Sequence, residues 1–252
     1  MRKATGLFLG LLICGISSAA FSNNTGEITI PDDVWAVGTA RTPDGSEIQY
    51  YEFHFSNAER ELTTRVEYRY PDGELFAEKQ LSYQEPLASP ELNQQDLRNN
   101  ARIQISRIAS GDELTVELNY RGHDAEQAEQ VRISSDDNLI IDAGFDVFIR
   151  QNWDALVQGD RVTADFLVPA RLDKVRIGIS RTDTEDCAQP EGEVHCFLIR
   201  PAGFLRVVSW FVDPIAIGYD PQSQRLRVFN GISNLRDEQG ESRNALITFE
   251  YY

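Results

Sequence analysis

The chain has 252 residues, with 24 Lys and Arg against 40 Asp and Glu, a net charge of −16, 41% apolar residues and 25% charged ones. This is the composition of an ordinary folded protein rather than a disordered one. So acidic a chain is excluded as a nucleic-acid binder, because affinity for a phosphate backbone comes from Lys and Arg neutralising it, and unassisted docking on an anionic membrane is disfavoured for the same reason.

Residues 1–22 open with Arg2 and Lys3, run through an apolar stretch from Leu7 to Ile16 and end in the small residues Ser17, Ser18, Ala19 and Ala20. Charged, then apolar, then small is the order of a secretory signal peptide, with cleavage expected after Ala20 or after Ser22. The apolar run is short of the roughly 20 residues that span a bilayer. Cys14 follows the bulky Ile13, which disfavours lipid anchoring there. An exported, periplasmic protein is expected, with residues 23–252 forming a single β-rich domain. Cys187 and Cys196 are the two cysteines left after cleavage, and an even count in an exported chain reads as a disulfide.

Alternation with period two dominates the remainder. In Gln49–Ser56, Tyr51, Phe53 and Phe55 share one face, and Glu52, His54 and Ser56 the other. Thr64–Tyr70 and Leu75–Tyr83 flank Pro71-Asp72-Gly73, where Pro presets φ and Gly accepts a positive φ, so a β-hairpin is predicted. Glu85–Asn100, with Pro86, Pro90 and several Asn and Gln, reads as a long loop with at most a helical turn from Pro90. Strands are predicted at Arg102–Ile108 and Leu114–Tyr120, then at 131–134 and 139–141. Phe145–Val157 carries Phe145, Phe148, Ile149, Asn152, Trp153 and Leu156 on one helical face, with Gly159 as its cap.

Strands follow at 165–168 and 174–180. Gly203–Asp213 is a second helical stretch, with Phe204, Leu205, Val208, Phe211 and Val212 on one face and Pro214 as its stop. Further strands are expected at Ile215–Tyr219, Arg225–Phe229, Ile232–Arg236 and Ala245–Tyr251. The fold class is therefore mainly β, a curved antiparallel sheet or partly open β-barrel with two short covering helices. The strands carry charges too often to present a lipid-facing belt, which argues against an outer-membrane barrel despite the aromatic ending Phe249-Glu250-Tyr251-Tyr252.

No metalloprotease, nucleophile-elbow, P-loop or dinucleotide-binding motif is present. No catalytic residue, metal site or cofactor is predicted. The three histidines, His54, His123 and His195, are too few for a four-ligand site with the cysteines available. Asp142 and Asp146 bracket the start of the first helical stretch, as an acid/base pair or, in the structural reading, bonded to backbone groups before the helix. Asp96, Arg98 and Arg171 are candidates for buried ion pairs that hold the long loop on the sheet.

Several segments resemble a family of uncharacterised proteobacterial envelope proteins across most of the mature chain. They include Tyr50-Tyr51-Glu52-Phe53-His54-Phe55, Arg65-Val66-Glu67-Tyr68, Ala143-Gly144-Phe145-Asp146, Asn152-Trp153, Leu167-Val168-Pro169-Ala170-Arg171-Leu172, Asp213-Pro214-Ile215 and Asn230-Gly231-Ile232-Ser233-Asn234. The resemblance implies no activity, cofactor or site residue. In architecture alone, a long antiparallel meander with covering helices is similar to the half-barrel periplasmic lipid carriers of the LolA and LppX type.

The functional expectation is a non-catalytic periplasmic binding protein for an apolar or lipid-like ligand, held by Phe145, Phe148, Trp153, Phe204, Val208, Trp210 and Phe211. Binding pockets are mostly apolar with a few placed polar groups. In the structural reading the same side chains simply fill the core. The alternative function is an envelope protein with no ligand cavity, docking a protein partner through the Trp210 region.

Overall fold

The computed structural model describes residues 28–252 apart from 111–112, 136–137, 189–191 and 203–213. The expected signal peptide, Cys14 and the second expected helical stretch, with Phe204, Val208, Trp210 and Phe211, thus lie outside the described residues. Fifteen described strands form one sheet. In chain order they are β1 (Ala36–Arg41), β2 (Ile48–Ser56), β3 (Thr63–Arg69), β4 (Leu75–Ser82), β5 (Glu91–Asp96), β6 (Arg102–Ser110), β7 (Glu113–Arg121), β8 (Glu129–Ser135), β9 (Leu139–Ile140), β10 (Val162–Val168), β11 (Asp173–Thr182), β12 (His195–Pro201), β13 (Ile215–Tyr219), β14 (Leu226–Arg236) and β15 (Ser242–Tyr251). Two helices, α1 (Gly144–Gln151) and α2 (Trp153–Gln158), stand between β9 and β10.

Each strand pairs with its neighbours in sequence except at two places. The first strand, β1, pairs antiparallel with the last, β15, and β8 and β9 do not pair although they are consecutive. They are the two edges of the sheet, and so few residues separate them that the Cα atoms of Ser135 and Leu139 lie within about 14 Å. The sheet must therefore curve until its edges approach one another. Lys174 Nζ in β11 reaches the Ser134 carbonyl of β8 at 3.4 Å across the seam. Buried Val116, Leu118 and Ile133 on the β7–β8 side pack with Leu139, Ile141 and Leu167 on the other. All pairings are antiparallel except the short parallel pair of β9 with β10.

The curved antiparallel sheet with short helices is the architecture expected, but β1 and β12 were not among the expected strands, and three expected elements differ in detail. The stretch expected to be a loop, 85–100, contains β5, whose inner face is Leu92, Gln94 and Asp96; strands on both sides hold it in place, and its polar residues conceal the alternation. The separate strands expected at 225–229 and 232–236 are one strand, β14, with an irregularity in its pairing with β15 between Ile232 and Arg236. The single helix expected at 145–157 is broken at Asn152. Its side-chain amide donates to the Phe148 carbonyl at 2.9 Å, a local bond that competes with helix continuation. Gly159 closes α2 in the left-handed conformation, φ 96°, the role foreseen for it.

The helices lie against the inner face of β10–β13. Ile149, Trp153 and Leu156 pack with Ile177, Ile179, Phe197 and Tyr219, and the Trp153 ring meets Phe197 and Tyr219 at 5.9 and 6.1 Å between centroids. Their entry is fixed by Gly144. A Cβ there would lie 2.1 Å from the Ala88 carbonyl oxygen, so only glycine lets α1 approach the β4–β5 connection. Gly144→Ala is expected to cost at least about 1–3 kcal/mol, the usual penalty of overpacking, measured as a lower urea midpoint at unchanged slope.

Cys187 and Cys196 form the disulfide that the cysteine count predicts, with Cα atoms 6.1 Å apart and both side chains buried against Leu198, Ala216 and Val228. It closes a loop with a sequence separation of 9. So short a loop constrains the unfolded chain modestly, so replacing both cysteines by alanine is expected to cost about 2–3 kcal/mol. Denaturation with and without reductant checks this: the wild type should shift on reduction and the double variant should not.

Candidate functional site

The curvature leaves an interior that the described side chains do not fill. A cavity of about 430 Å³ runs between the start of α1 and the inner face of the sheet, within the size range of small-molecule sites. Register decides what lines it. Read across the inner face, Tyr120, Ile103, Gln94, Lys79, Val66 and His54 stand side by side on β7 through β2. On the opposite wall Phe166, Ile177, Ile199, Ile217 and Phe229 supply an apolar surface, and Phe145 and Val147 of α1 face the same space.

One wall is therefore apolar and the other carries charge. Lys79, 4% exposed at its side chain, donates to both carboxylate oxygens of Asp142 at 2.7 and 2.9 Å. Burial by itself pulls the Lys79 pKa down, but the attraction of Asp142, the neighbouring Tyr68 and the hydrogen bonds to both outweigh it, so the ammonium is held charged. Glu52 pairs with His54 at 3.0 Å, and Asp146 with Arg150 at 2.9 Å. Burial pushes the phenols of Tyr68, Tyr83 and Tyr219 above their ordinary value, so they stay neutral hydrogen-bonding groups. At the rim, Asp96 pairs with Arg98 at 2.6 Å. Arg98 also donates to the Arg236 carbonyl at 2.7 Å, joining the end of β5 to the end of β14. This is the ion pair foreseen for the long loop, although it does not include Arg171, which lies in the tight turn after β10.

Asp142 and Asp146 are tied to different cations. Asp142 also accepts from its neighbour Ala143 N at 2.7 Å, the backbone bond of the structural reading, with Lys79 as the partner that sequence did not disclose. The Asp146 carboxyl is raised above the ordinary 3.8 by burial, against the opposing pull of Arg150, Tyr219 and His54. An acid whose folded pKa is raised binds its proton more tightly folded than unfolded, so stability falls as pH rises from about 3.8 through the folded value. Asp146→Asn removes that slope. The variant is expected to lose this part of the acid-side pH dependence without losing stability at neutral pH, as thermal midpoints across pH would record.

The residues proposed from sequence are distributed unevenly. Phe145 lines the cavity. Phe148 and Trp153 are buried in the cluster between the helices and β10–β13 and are not among the residues around the cavity. Gln94, Lys79, Glu52 and Tyr219 were missed as a site. In β2 the expected alternation is present, but the polar face turns inward. Phe53 and Phe55 lie on the other side, covered by Val34 and Val37 of the incoming chain. The one signal in the sequence was an apolar–charged alternation on both sides of a hairpin, which is equally the pattern of a solvated face.

Among the described residues, no group of three or more His, Cys, Asp or Glu side chains is placed to hold a metal ion, and no helix is long and apolar enough to cross a membrane. No family model matches the chain, and neither a curated protein nor a solved structure is significantly similar to it. The functional reading therefore rests on the interior itself.

Proposed function

We propose that the protein is an exported, non-catalytic binding protein for an apolar or lipid-like ligand, which it holds inside the curved sheet. The observation that carries this reading is the cavity of about 430 Å³ between the start of α1 and the sheet, lined on one side by Phe166, Ile177, Ile199, Ile217 and Phe229. Side chains normally pack an interior until voids are smaller than a water molecule. Apolar side chains that face such a volume lack partner atoms on one side, and a hydrocarbon guest supplies those contacts. Burial contributes about 25 cal/mol per Å² of apolar area, so one acyl chain supplies several kcal/mol.

Export is supported by the disulfide, which persists in oxidising compartments, and by the charged–apolar–small order of residues 1–22.

Native mass spectrometry of the protein released from cells without detergent tests the reading. The expected result is a species heavier than the chain, whose extra mass is lost on organic extraction and recovered in the extract. A single ligand-free mass, an empty extract and no uptake of added long-chain amphiphiles would count against it.

A further inference from the structure

The polar wall of the cavity carries information about the guest. Lys79, Asp96 and Asp142 face it, each with an oppositely charged partner within 3.0 Å, as has Asp146 on α1, and Glu52 faces it with its carboxylate hydrogen-bonded to the His54 imidazole at 3.0 Å. An anionic head group entering here meets the carboxylates of Glu52, Asp96, Asp142 and Asp146 and finds the ammonium of Lys79 already chelated by Asp142. A cationic one would have to displace Lys79, Arg98 or Arg150 from a formed pair.

Gln94 is different. It stands on β5 directly between Lys79 and Ile103, only 6% exposed, with its side chain at the cavity and its amide oxygen buried without a hydrogen-bond partner. A buried polar atom left unpaired costs about 1–3 kcal/mol, so a polar side chain of this kind in the lining of an unfilled volume points to a group that completes its hydrogen bonding once the amide turns toward that space. Three arginines, Arg102, Arg121 and Arg236, also stand at the rim, and each guanidinium already donates to a neutral oxygen of the protein, Arg236 to the Gly240 carbonyl. The Arg102 guanidinium is engaged with Asn93 Oδ1 and Arg121 with the Asn100 carbonyl.

We infer that the ligand is an uncharged amphiphile whose hydroxyl or amide head group bonds the Gln94 side chain while its hydrocarbon lies on the apolar wall. This inference rests on the ligand-binding reading above. A hydroxyl both donates and accepts, so it serves the Gln94 amide in either of its two orientations. Gln94 is two residues from the end of β5, so the head group sits just inside the Asp96–Arg98 pair and the tail points away from that rim.

The test uses the full mature protein and ligands that share one tail and differ in head group. Diphenylhexatriene, a hydrocarbon fluorophore, reports occupancy. Monolauroylglycerol, laurate and dodecyltrimethylammonium compete with it at neutral pH in wild type and in Gln94→Met, a near-isosteric change chosen to preserve packing.

The expected result is that monolauroylglycerol displaces the probe at a concentration at least tenfold lower than either charged ligand. Gln94→Met should weaken monolauroylglycerol about tenfold and leave the hydrocarbon probe unchanged. Laurate or the ammonium binding as well as the glyceride, or a Gln94→Met loss shared equally by all ligands, would overturn the head-group inference while the cavity reading stands. Failure of the wild type to bind even the hydrocarbon probe would overturn both. The wild-type comparison needs no variant and decides the matter if Gln94→Met does not fold.

Discussion

Lys79→Met is expected to be among the most destabilising single changes in the protein, at about 3–5 kcal/mol. The Lys79 side chain is 4% exposed, and that of Asp142 is 15% exposed. Removing the cation leaves the Asp142 carboxylate in the protein interior, facing Tyr68, Tyr83 and an apolar wall, with only Ala143 N and a long contact from Asn234 Nδ2 at 3.4 Å to stabilise it. The double variant Lys79→Met with Asp142→Asn leaves no lone charge and is expected to recover most of the loss.

The pH dependence follows from the direction of the Lys79 shift. A lysine whose folded pKa is raised contributes stability that is fully present below the unfolded value near 10.5 and is lost as pH rises through the still higher folded value. The lysine's own contribution to the deficit should therefore not change with pH between about pH 6 and 9. Urea denaturation of the three variants over that range measures it. A loss under about 1 kcal/mol would show that the pair behaves as a solvated surface contact instead.

Filling the cavity is expected to have the largest effect on binding. Ile103 is partly buried, stands beside Gln94 on β6 and faces the unfilled volume, as does Ile232 on β14. Ile103→Trp or Ile232→Trp places an indole where the guest would lie. Overpacking a filled core costs about 1–3 kcal/mol, whereas adding atoms to a void restores contacts, so the two variants should keep a near-wild-type thermal midpoint. Affinity for a long-chain probe is expected to fall at least about tenfold, because the added ring occupies the space the hydrocarbon needs. Equilibrium titration of both variants beside wild type gives the answer. A large drop in stability with unchanged probe binding would mean that these positions are packed core and that the probe binds elsewhere.

The legible part of the fold was what sits on a one-sided apolar pattern. Val66 and Tyr68 alternate with Arg65, Glu67 and Arg69, and their strand and its hairpin partner fall where the pattern puts them. The first helical stretch was readable from Phe148, Ile149, Trp153 and Leu156, though the local competition of the Asn152 amide for the Phe148 carbonyl was not.

β5 was hidden because its inward face carries Gln94 and Asp96, so alternation existed without contrast between apolar and polar. β1 was hidden for the opposite reason. Its inward Gly38 and Ala40 are small because neighbouring strands press large side chains over them, and a Cβ on Gly38 would lie 2.9 Å from Phe249 Cε1. Smallness there is a packing requirement that reads locally as a weak strand.

The pairing of β1 with β15 joins residues more than two hundred positions apart, and no local pattern encodes it. The curvature that creates the cavity depends on that pairing. The candidate site was accordingly less legible than the fold. Apolar side chains announce a core or a pocket in the same way. What separates the two is volume left over after packing, which only the assembled sheet defines.

The most direct measurement is an experimental structure of the protein loaded with a bromine-tailed, uncharged amphiphile. The account predicts anomalous bromine signal inside the sheet, within contact of Ile177, Ile199 and Ile217, with the head group at Gln94. Bromine confined to the outer surface, and an interior closed by its own side chains, would contradict it.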